Sequence, residues 1–349
     1  FYEEAEYQLT CFDQNNLLPA LKEQFEWLKT APSQTLQQVL KDLDQAYKNF
    51  FRRATKGGEA PGFPKFKKKG VNDSFRLPQG FSLAGEGRVK LPKVGMVKFI
   101  QSQEIQGRIR NITIRKDGKH WYIAFNCEVN MNVPVNQGSQ IGVDCGIAQT
   151  VTTSEAVFHN LPKETLQYWQ ERLKKAQRQL ARKTKKSKNW IKCKQEITRI
   201  FKKIRDIRHD MLHKISTEIA QNHSYVVLED LKTANMTKSA KGDLENPGKC
   251  VKAKSGLNRE ILNSGWHTFK VMLGYKCEWY GSFLELVDPK HTSQTCHECE
   301  CVSKNNRKSQ SVFVCESCGH TDNADVNAAK NIRTRGLRGR ASGAAALAG

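Results

Sequence analysis

No stretch of the chain approaches the roughly 18 consecutive apolar residues that a membrane-spanning helix needs, so no membrane partner is expected. The opening residues, FYEEAEYQLT, lack the basic-then-apolar layout of a secretory signal, which places the expected location in the cytoplasm. Because the chain opens on Phe1 and not on Met, we expect further residues upstream. Acidic residues are scarce, with 35 Asp and Glu against 57 Lys and Arg, a net charge of +22. Internal repeats are missing as well. The cysteines are odd in number, eleven, and seven of them (Cys11, Cys127, Cys145, Cys193, Cys250, Cys277 and Cys301) fall in no pairing pattern. Without a secretory signal, that excludes a disulfide framework.

What is present points elsewhere. A length of 349 residues suits two or three domains, and a composition of 38% hydrophobic and 26% charged residues is that of a chain that folds around a core. An excess of positive charge repels itself, and a polyanion relieves the repulsion while releasing its counterions. A solubilising basic surface, or one for anionic lipid, is the competing explanation. The distribution favours nucleic acid: residues 161–220 alone hold 18 Lys and Arg against 6 Asp and Glu, a net +12. On DNA the protein would be associated with the nucleoid.

Residues 17–56 read as helical, since Leu36, Val39, Leu40, Leu43, Ala46, Tyr47 and Phe50 recur at spacings of three and four behind the start signal Pro32-Ser33. Gly57 and Gly58 stop the pattern. The segment PGFPKFKKKG then forbids a long helix and interleaves Phe63 and Phe66 with Lys65, Lys67, Lys68 and Lys69, a composition suited to a phosphate backbone and a stacked base, or to a plain solvated linker. From Phe75 to Val129 the period falls to two, with Ile112 and Ile114, a turn at Lys116 to Lys119, then Trp121, Ile123, Phe125 and Cys127. We expect a small barrel here, to which residues upstream of Phe1 add a strand.

Residues 139–155 predict two strands joined at Gly146. Two apolar stripes follow: Leu166, Trp169, Leu173, Ala176 and Leu180, then Ile197, Ile200, Ile204, Ile207, Met211, Ile215 and Ile219. With a polar break over Thr184 to Asn189 they predict an antiparallel helical hairpin, and each seam is short for a coiled coil. Lys174, Arg178, Lys185 and Lys186 on its cationic outer face are candidate nucleic-acid contacts. Ser224 to Leu228 predicts a buried strand ending at Glu229, residues 233–256 a polar loop, and 258–275 a helix.

Cys296-His297-Glu298-Cys299, fifteen intervening residues, and Cys315-Glu316-Ser317-Cys318 form a C-x2-C-x15-C-x2-C pattern. Two residues between thiolates let both sulfurs of a knuckle reach one tetrahedral ion, and a second knuckle closes its shell, so structural zinc is the expected occupant. An iron–sulfur cluster or redox pair is the weaker reading, as nothing nearby suggests electron transfer. Cys301 and His297 are spare donors ranked outside the ligand set. Three carboxylates also stand where they are costly unless used: Asp144 and Glu229 each end an apolar strand, and Asp325 sits in the first turn of a helix. Singly, a turn, an exposed strand end and a helix dipole would explain them. Jointly they are oxygen ligands for hard divalent ions, a pair of which about 4 Å apart serves phosphodiester hydrolysis.

These residues carry a resemblance. Ile141-Gly142-Val143-Asp144-Cys145-Gly146-Ile147 resembles the first motif of RuvC-type nuclease domains, Val226-Val227-Leu228-Glu229-Asp230-Leu231 the second, and Asp325 to Ile332, following a ribbon introduced by Thr292-Ser293-Gln294-Thr295-Cys296, the third. Their order, with Leu36 to Arg53 and Phe63 to Lys69, is similar to that of the TnpB (OrfB) proteins of insertion sequences and the compact type V CRISPR effectors. Two departures stand out: Glu300 replaces the glycine usual after the first knuckle, and Cys145 replaces an apolar residue beside the first aspartate.

The resemblance implies a multidomain α+β protein. Its parts would be a helical recognition module (1–57), a wedge-like β-barrel (58–136), an RNase H-like (RuvC) α/β nuclease lobe (137–285), an inserted zinc ribbon (286–321), the third-motif helix (322–338) and a disordered tail (339–349). It implies RNA-guided DNA cleavage by a monomer that takes guide RNA from its own locus, reads a short motif and cuts double-stranded DNA. Asp144, Glu229 and Asp325 would be catalytic and hold Mg²⁺ or Mn²⁺, and Cys296, Cys299, Cys315 and Cys318 would hold zinc. A guide-directed repressor without cleavage would normally have lost an acid. A literal transposase, or a protein accessory to one, would call for a Tyr/His strand-transfer arrangement, whereas His209 and His213 fall in the basic hairpin.

Overall fold

Reciprocal capping opens the first described helix: the Thr10 hydroxyl accepts from the Asp13 N–H, and the Asp13 carboxylate accepts from the Thr10 N–H at 2.9 Å. The computed structural model describes residues 9–56, 62–68, 70, 73–85, 87–243 and 245–347. The chain divides into two units, Phe1–Met131 and Asn132–Gly349, so the two N-terminal modules expected to meet near residue 57 belong to one unit that ends before the expected boundary at 136.

In the first unit, α1 (Cys11–Asn16) and α2 (Leu18–Gln24) precede α3 (Ser33–Lys56). Phe63 packs edge-on against Tyr47 and Phe50 of α3, with ring centroids 5.6 and 5.3 Å apart, whereas Phe66 is fully exposed between the exposed Lys65, Lys67 and Lys68. Lys69 lies outside the described residues. Six strands follow: β1 (Ser74–Leu77), β2 (Ser82–Leu83), β3 (Arg88–Leu91), β4 (Gly95–Lys98), β5 (Arg108–Asp117) and β6 (His120–Glu128). Where a small barrel is expected, the described residues form two three-stranded antiparallel sheets, β1-β5-β6 and β2-β3-β4. The strands of the second sheet are two to four residues long, and both sheets share a core of Leu77, Val89, Leu91 and Ile112. An Arg76–Asp42 ion pair at 2.8 Å ties β1 to α3.

The second unit is built on a mixed sheet of order β11-β10-β7-β8-β9. Its elements are β7 (Ser139–Asp144), β8 (Val151–Thr153), β9 (Phe158–His159), α4 (Lys163–Ala181), α5 (Lys188–Asn222), β10 (His223–Glu229), α6 (Thr233–Met236), α7 (Val251–Ser264), α8 (Trp266–Tyr280), β11 (Phe283–Val287), β12 (Val312–Val314), β13 (Thr321–Asn323) and α9 (Ala324–Leu347). β7, β10 and β11 run parallel, while β8 and β9 are antiparallel additions. The hairpin of α4 and α5 is as expected, with the Ser187 hydroxyl accepting from the Trp190 N–H at 3.1 Å to start α5.

Three expectations are corrected here. The polar loop does not reach 256, because α7 begins at Val251; and the helix expected over 258–275 is two helices, broken at Gly265, whose φ of +74° no continuing helix adopts. The tail expected to be disordered from 339 continues α9 as far as Leu347.

Side-chain alternation decides which face each strand residue serves. Ile141, Val143, Val226 and Leu228 enter the large core with α4, α5, α7 and α8. Their neighbours Tyr225 and Val227 join Ile332 of α9 in a second core on the opposite face. Among the described residues no helix is long and apolar enough to cross a membrane.

Candidate functional site

The same alternation brings the acids together. Gly142 and Asp144 are out of phase with Ile141 and Val143, and Glu229 is in phase with Tyr225 and Val227, so both carboxylates belong to the face that α9 covers. Because Gly142 has no Cβ, α9 approaches closely: an added Cβ would collide with the Ala329 carbonyl oxygen and lie 2.7 Å from the Arg333 nitrogen. Gly336 makes the matching approach to Val227, where a Cβ would stand 2.6 Å from both γ-methyls. Helix α9 starts on this interface. The Asn323 side-chain oxygen accepts from the N–H groups of Asp325 (3.0 Å) and Val326 (3.3 Å), which fixes Asp325 in the first turn.

Glu229 and Asp325 are 8% and 9% exposed, so neither charge is relieved by bulk water. Burial pushes the Asp144 carboxyl up to about 8, assisted by the charges of Glu229 and Asp325 and opposed by Arg307. Burial also raises Glu229, against the hydrogen bond that the Thr292 hydroxyl donates to it. Arg307 pairs with Asp325 at 2.8 Å and is the cation that reaches this carboxylate. A buried carboxyl raised by two neighbouring carboxylates fits a site that takes up cations.

The second candidate centre lies in the segment between β11 and α9. The four sulfurs of Cys296, Cys299, Cys315 and Cys318 lie within 4.8 Å of one another, with Cys296–Cys318 at 3.7 Å and Cys299–Cys315 at 3.5 Å. Thiolates placed tetrahedrally about 2.3 Å from one ion would be about 3.8 Å apart, so the donor set fits a zinc-sized ion. Backbone N–H groups of Cys318 and Ser317 directed at the Cys315 sulfur bring its thiol down to about 6, favouring the thiolate a metal needs. Among the described residues this is the single group of His, Cys, Asp or Glu that converges to metal-binding distance. The three carboxylates face one another at longer range.

The knuckles turn alike. Glu300 follows Cys299 with φ +60° and its N–H bonds to the Cys296 carbonyl at 3.0 Å; Gly319 follows Cys318 with φ +70° and bonds to the Cys315 carbonyl at 3.0 Å. Glu300 thus holds the left-handed turn that a glycine would take, and its carboxylate pairs with Arg338 of α9.

The expected nucleic-acid residues that the structure describes are all exposed. Lys65, Lys67 and Lys68 are exposed in the first unit; Lys174 and Arg178 are exposed on α4, and Lys185 and Lys186 in the turn that follows it. Sequence reasoning assigned no role to Thr292, Arg307, Asn327 or Asn331. Thr292 stood inside a quoted motif, but nothing in its spacing marked it as a partner of Glu229.

Comparisons with known proteins agree with the motifs. Residues 124–240 match the OrfB_IS605 family model, described as a probable transposase, and residues 266–332 match the TNB domain of Cas12f1-like proteins. The chain is 45% identical over 313 residues to the Escherichia coli (strain K12) protein named "Putative RNA-guided DNA endonuclease InsQ", covering 89% of this chain and 76% of that protein. A Streptomyces pristinaespiralis protein named "Putative RNA-guided DNA endonuclease" is 29% identical over 327 residues, covering 92% of this chain and 76% of its own. Among solved structures, a Cas12f1–sgRNA–target DNA complex matches with a TM-score of 0.39 and 17% identity, over 95% of this chain and 87% of that one.

Proposed function

The chain belongs to the TnpB (OrfB) family, and on that premise we propose that it is an RNA-guided, divalent-metal-dependent DNA endonuclease of a transposable element. The observation that carries this reading is the buried Asp144 beside the charges of Glu229 and Asp325, which with burial hold its carboxyl far above an ordinary one. The helices on both faces of a mixed sheet support an RNase H-like, RuvC-type lobe. Its proposed partners are guide RNA from its own locus and double-stranded DNA, for which the cationic α4–α5 hairpin and the Lys65 to Lys68 segment offer phosphate contacts.

Asp144, Glu229 and Asp325 would hold Mg²⁺ or Mn²⁺, and a bound pair of such ions supplies the Lewis acidity that phosphodiester hydrolysis requires. This chain's own residues prepare the place. Burial keeps competing water from the carboxylates, Asn323 fixes the backbone that carries Asp325, and Arg307 balances one negative charge until a cation or a phosphate arrives. Cys296, Cys299, Cys315 and Cys318 would hold zinc in a structural role, since a closed shell of four thiolates leaves no position for substrate.

The test is Mg²⁺-dependent cleavage of a plasmid library that carries a guide-matched target beside randomised flanks, using protein co-expressed with RNA from its locus. Wild type should cut and reveal a flanking motif, while Asp325→Ala should bind guide and target normally and not cut. Tight guided binding by wild type with no cleavage would identify a repressor instead. Loss of RNA binding in Asp325→Ala would make that acid structural.

A further inference from the structure

We propose that Thr292 is the positioning residue for Glu229, and that through it the cysteine ribbon and α9 set the geometry of the acidic site; this rests on the nuclease reading above. Thr292 is 3% exposed and its hydroxyl donates to Glu229 Oε1. The Pro289 carbonyl lies 3.0 Å from the same hydroxyl, but a carboxylate is the stronger acceptor. Without this donor, one oxygen of a buried carboxylate would lose the hydrogen bond that holds its orientation. Partners of metal-ligating groups act in this way, and their loss typically costs 10- to 100-fold in metal affinity or activity.

Thr292 is itself held from two sides. From α9, the Asn331 amide donates to the carbonyls of Thr292 (2.9 Å) and Thr295 (2.7 Å). One turn earlier, Asn327 is fully buried; its amide donates to the Thr295 carbonyl at 2.8 Å and its oxygen accepts from the His297 N–H at 3.0 Å. Residues i and i+4 on one helix face therefore clamp both ends of the segment from Thr292 to His297. Cys296 lies within that segment, so a metal held by the four cysteines would anchor it from the other direction. The helix that bears Asp325 thus also fixes the residue that orients Glu229.

The experiment measures the cleavage rate of the guide-loaded, full-length protein as a function of Mg²⁺ concentration. Thr292→Val keeps the shape and removes the donor, and should raise the half-saturating Mg²⁺ concentration about 10-fold or more. Guided DNA binding in magnesium-free buffer should stay unchanged. Thr292→Ser restores the hydroxyl and should return the requirement to within about twofold of wild type. Asn331→Ala, which loosens the segment without touching Glu229, should shift it in the same direction by less. An unaltered Mg²⁺ requirement in Thr292→Val, equal impairment of Thr292→Val and Thr292→Ser, or loss of DNA binding in Thr292→Val would each overturn the assignment. Glu229→Gln separates the two readings: if it does not cut, the acidic site stands whatever Thr292 does, and if it cuts like wild type, the site reading fails and the Thr292 assignment with it.

Discussion

Replacing Gly142 by alanine tests whether the site is assembled by close approach of α9 to β7. The added Cβ would run into the Ala329 carbonyl and lie 2.7 Å from the Arg333 nitrogen and 2.8 Å from its Cβ, where ordinary contact begins at 3.4 Å. All three atoms belong to α9, two of them are backbone, and none can rotate away. Helix α9 must therefore retreat by about 1 Å or more to clear the Ala329 carbonyl, and overpacking of this kind costs about 1 to 3 kcal/mol. The stiffening of the unfolded chain by alanine offsets about 0.4 to 1 kcal/mol of that. At roughly 2 to 4 °C per kcal/mol for a unit of this size, thermal unfolding should fall by up to about 10 °C. The catalytic effect should be larger than the stability effect. Asp325 rides on the first turn of the displaced helix, and misplacement approaching 1 Å costs on the order of 100-fold, so cleavage well below the melting temperature should drop between about 10- and 100-fold. Scanning fluorimetry and guided cleavage read the two quantities separately, with guided DNA binding as the control. A Gly142→Ala protein with wild-type melting and cleavage would refute the packing argument.

Two further outcomes follow from the electrostatics and the ribbon. In magnesium-free buffer without chelator, the folded protein retains a proton on Asp144 up to about pH 8 that the unfolded chain releases near 3.8. Stability from this group is therefore full at low pH and falls as pH rises between those values, by at most about 1.4 kcal/mol per pH unit. Denaturant midpoints at successive pH values should show this decline, and Asp144→Asn should flatten it; identical slopes in the two proteins would reject the assignment. Saturating Mg²⁺ should flatten the wild-type slope too, because it binds the ionised form. Replacing Cys315 by serine should lower the zinc content found by mass spectrometry, unfold the ribbon and reduce the melting temperature. Unchanged zinc and melting would remove Cys315 from the ligand set.

Much of the site was legible because its signals are local. Two cysteine knuckles need only short spacing, and an acid that ends an apolar run stands out against its neighbours, as Asp144 and Glu229 do. Phase was legible too: the alternation of Ile141 and Val143 against Gly142 and Asp144 already separates two faces. The strand β11 was not, because Phe-Leu-Glu-Leu-Val is short, does not alternate cleanly and lies at a sheet edge, so the expected ribbon boundary at 285/286 cuts through it. The break at Gly265 was hidden by apolar spacing that continues from Ile261 and Leu262 to Trp266 and Phe269. Thr292 and Arg307 meet Glu229 and Asp325 only through tertiary packing, at separations in sequence that no spacing rule reaches. Glu300 stood out as a departure from the usual glycine, yet it takes the left-handed conformation and gains Arg338 as a partner.

The order of the strands and of α9 carries a consequence for synthesis. Asp144 and Glu229 lie on neighbouring parallel strands that can pair once the helices between them have emerged, but the third acid is carried by a helix translated after both cysteine knuckles. A nascent or prematurely terminated chain that ends before Asp325 can form β7 and β10 and present the cationic hairpin, so it is able to capture polyanions while lacking a complete site. On the proposed reading, competence to cut arises only once the segment bearing Asp325 has been translated, and fragments that end before it should behave as inert binders of nucleic acid and not as unguided nucleases.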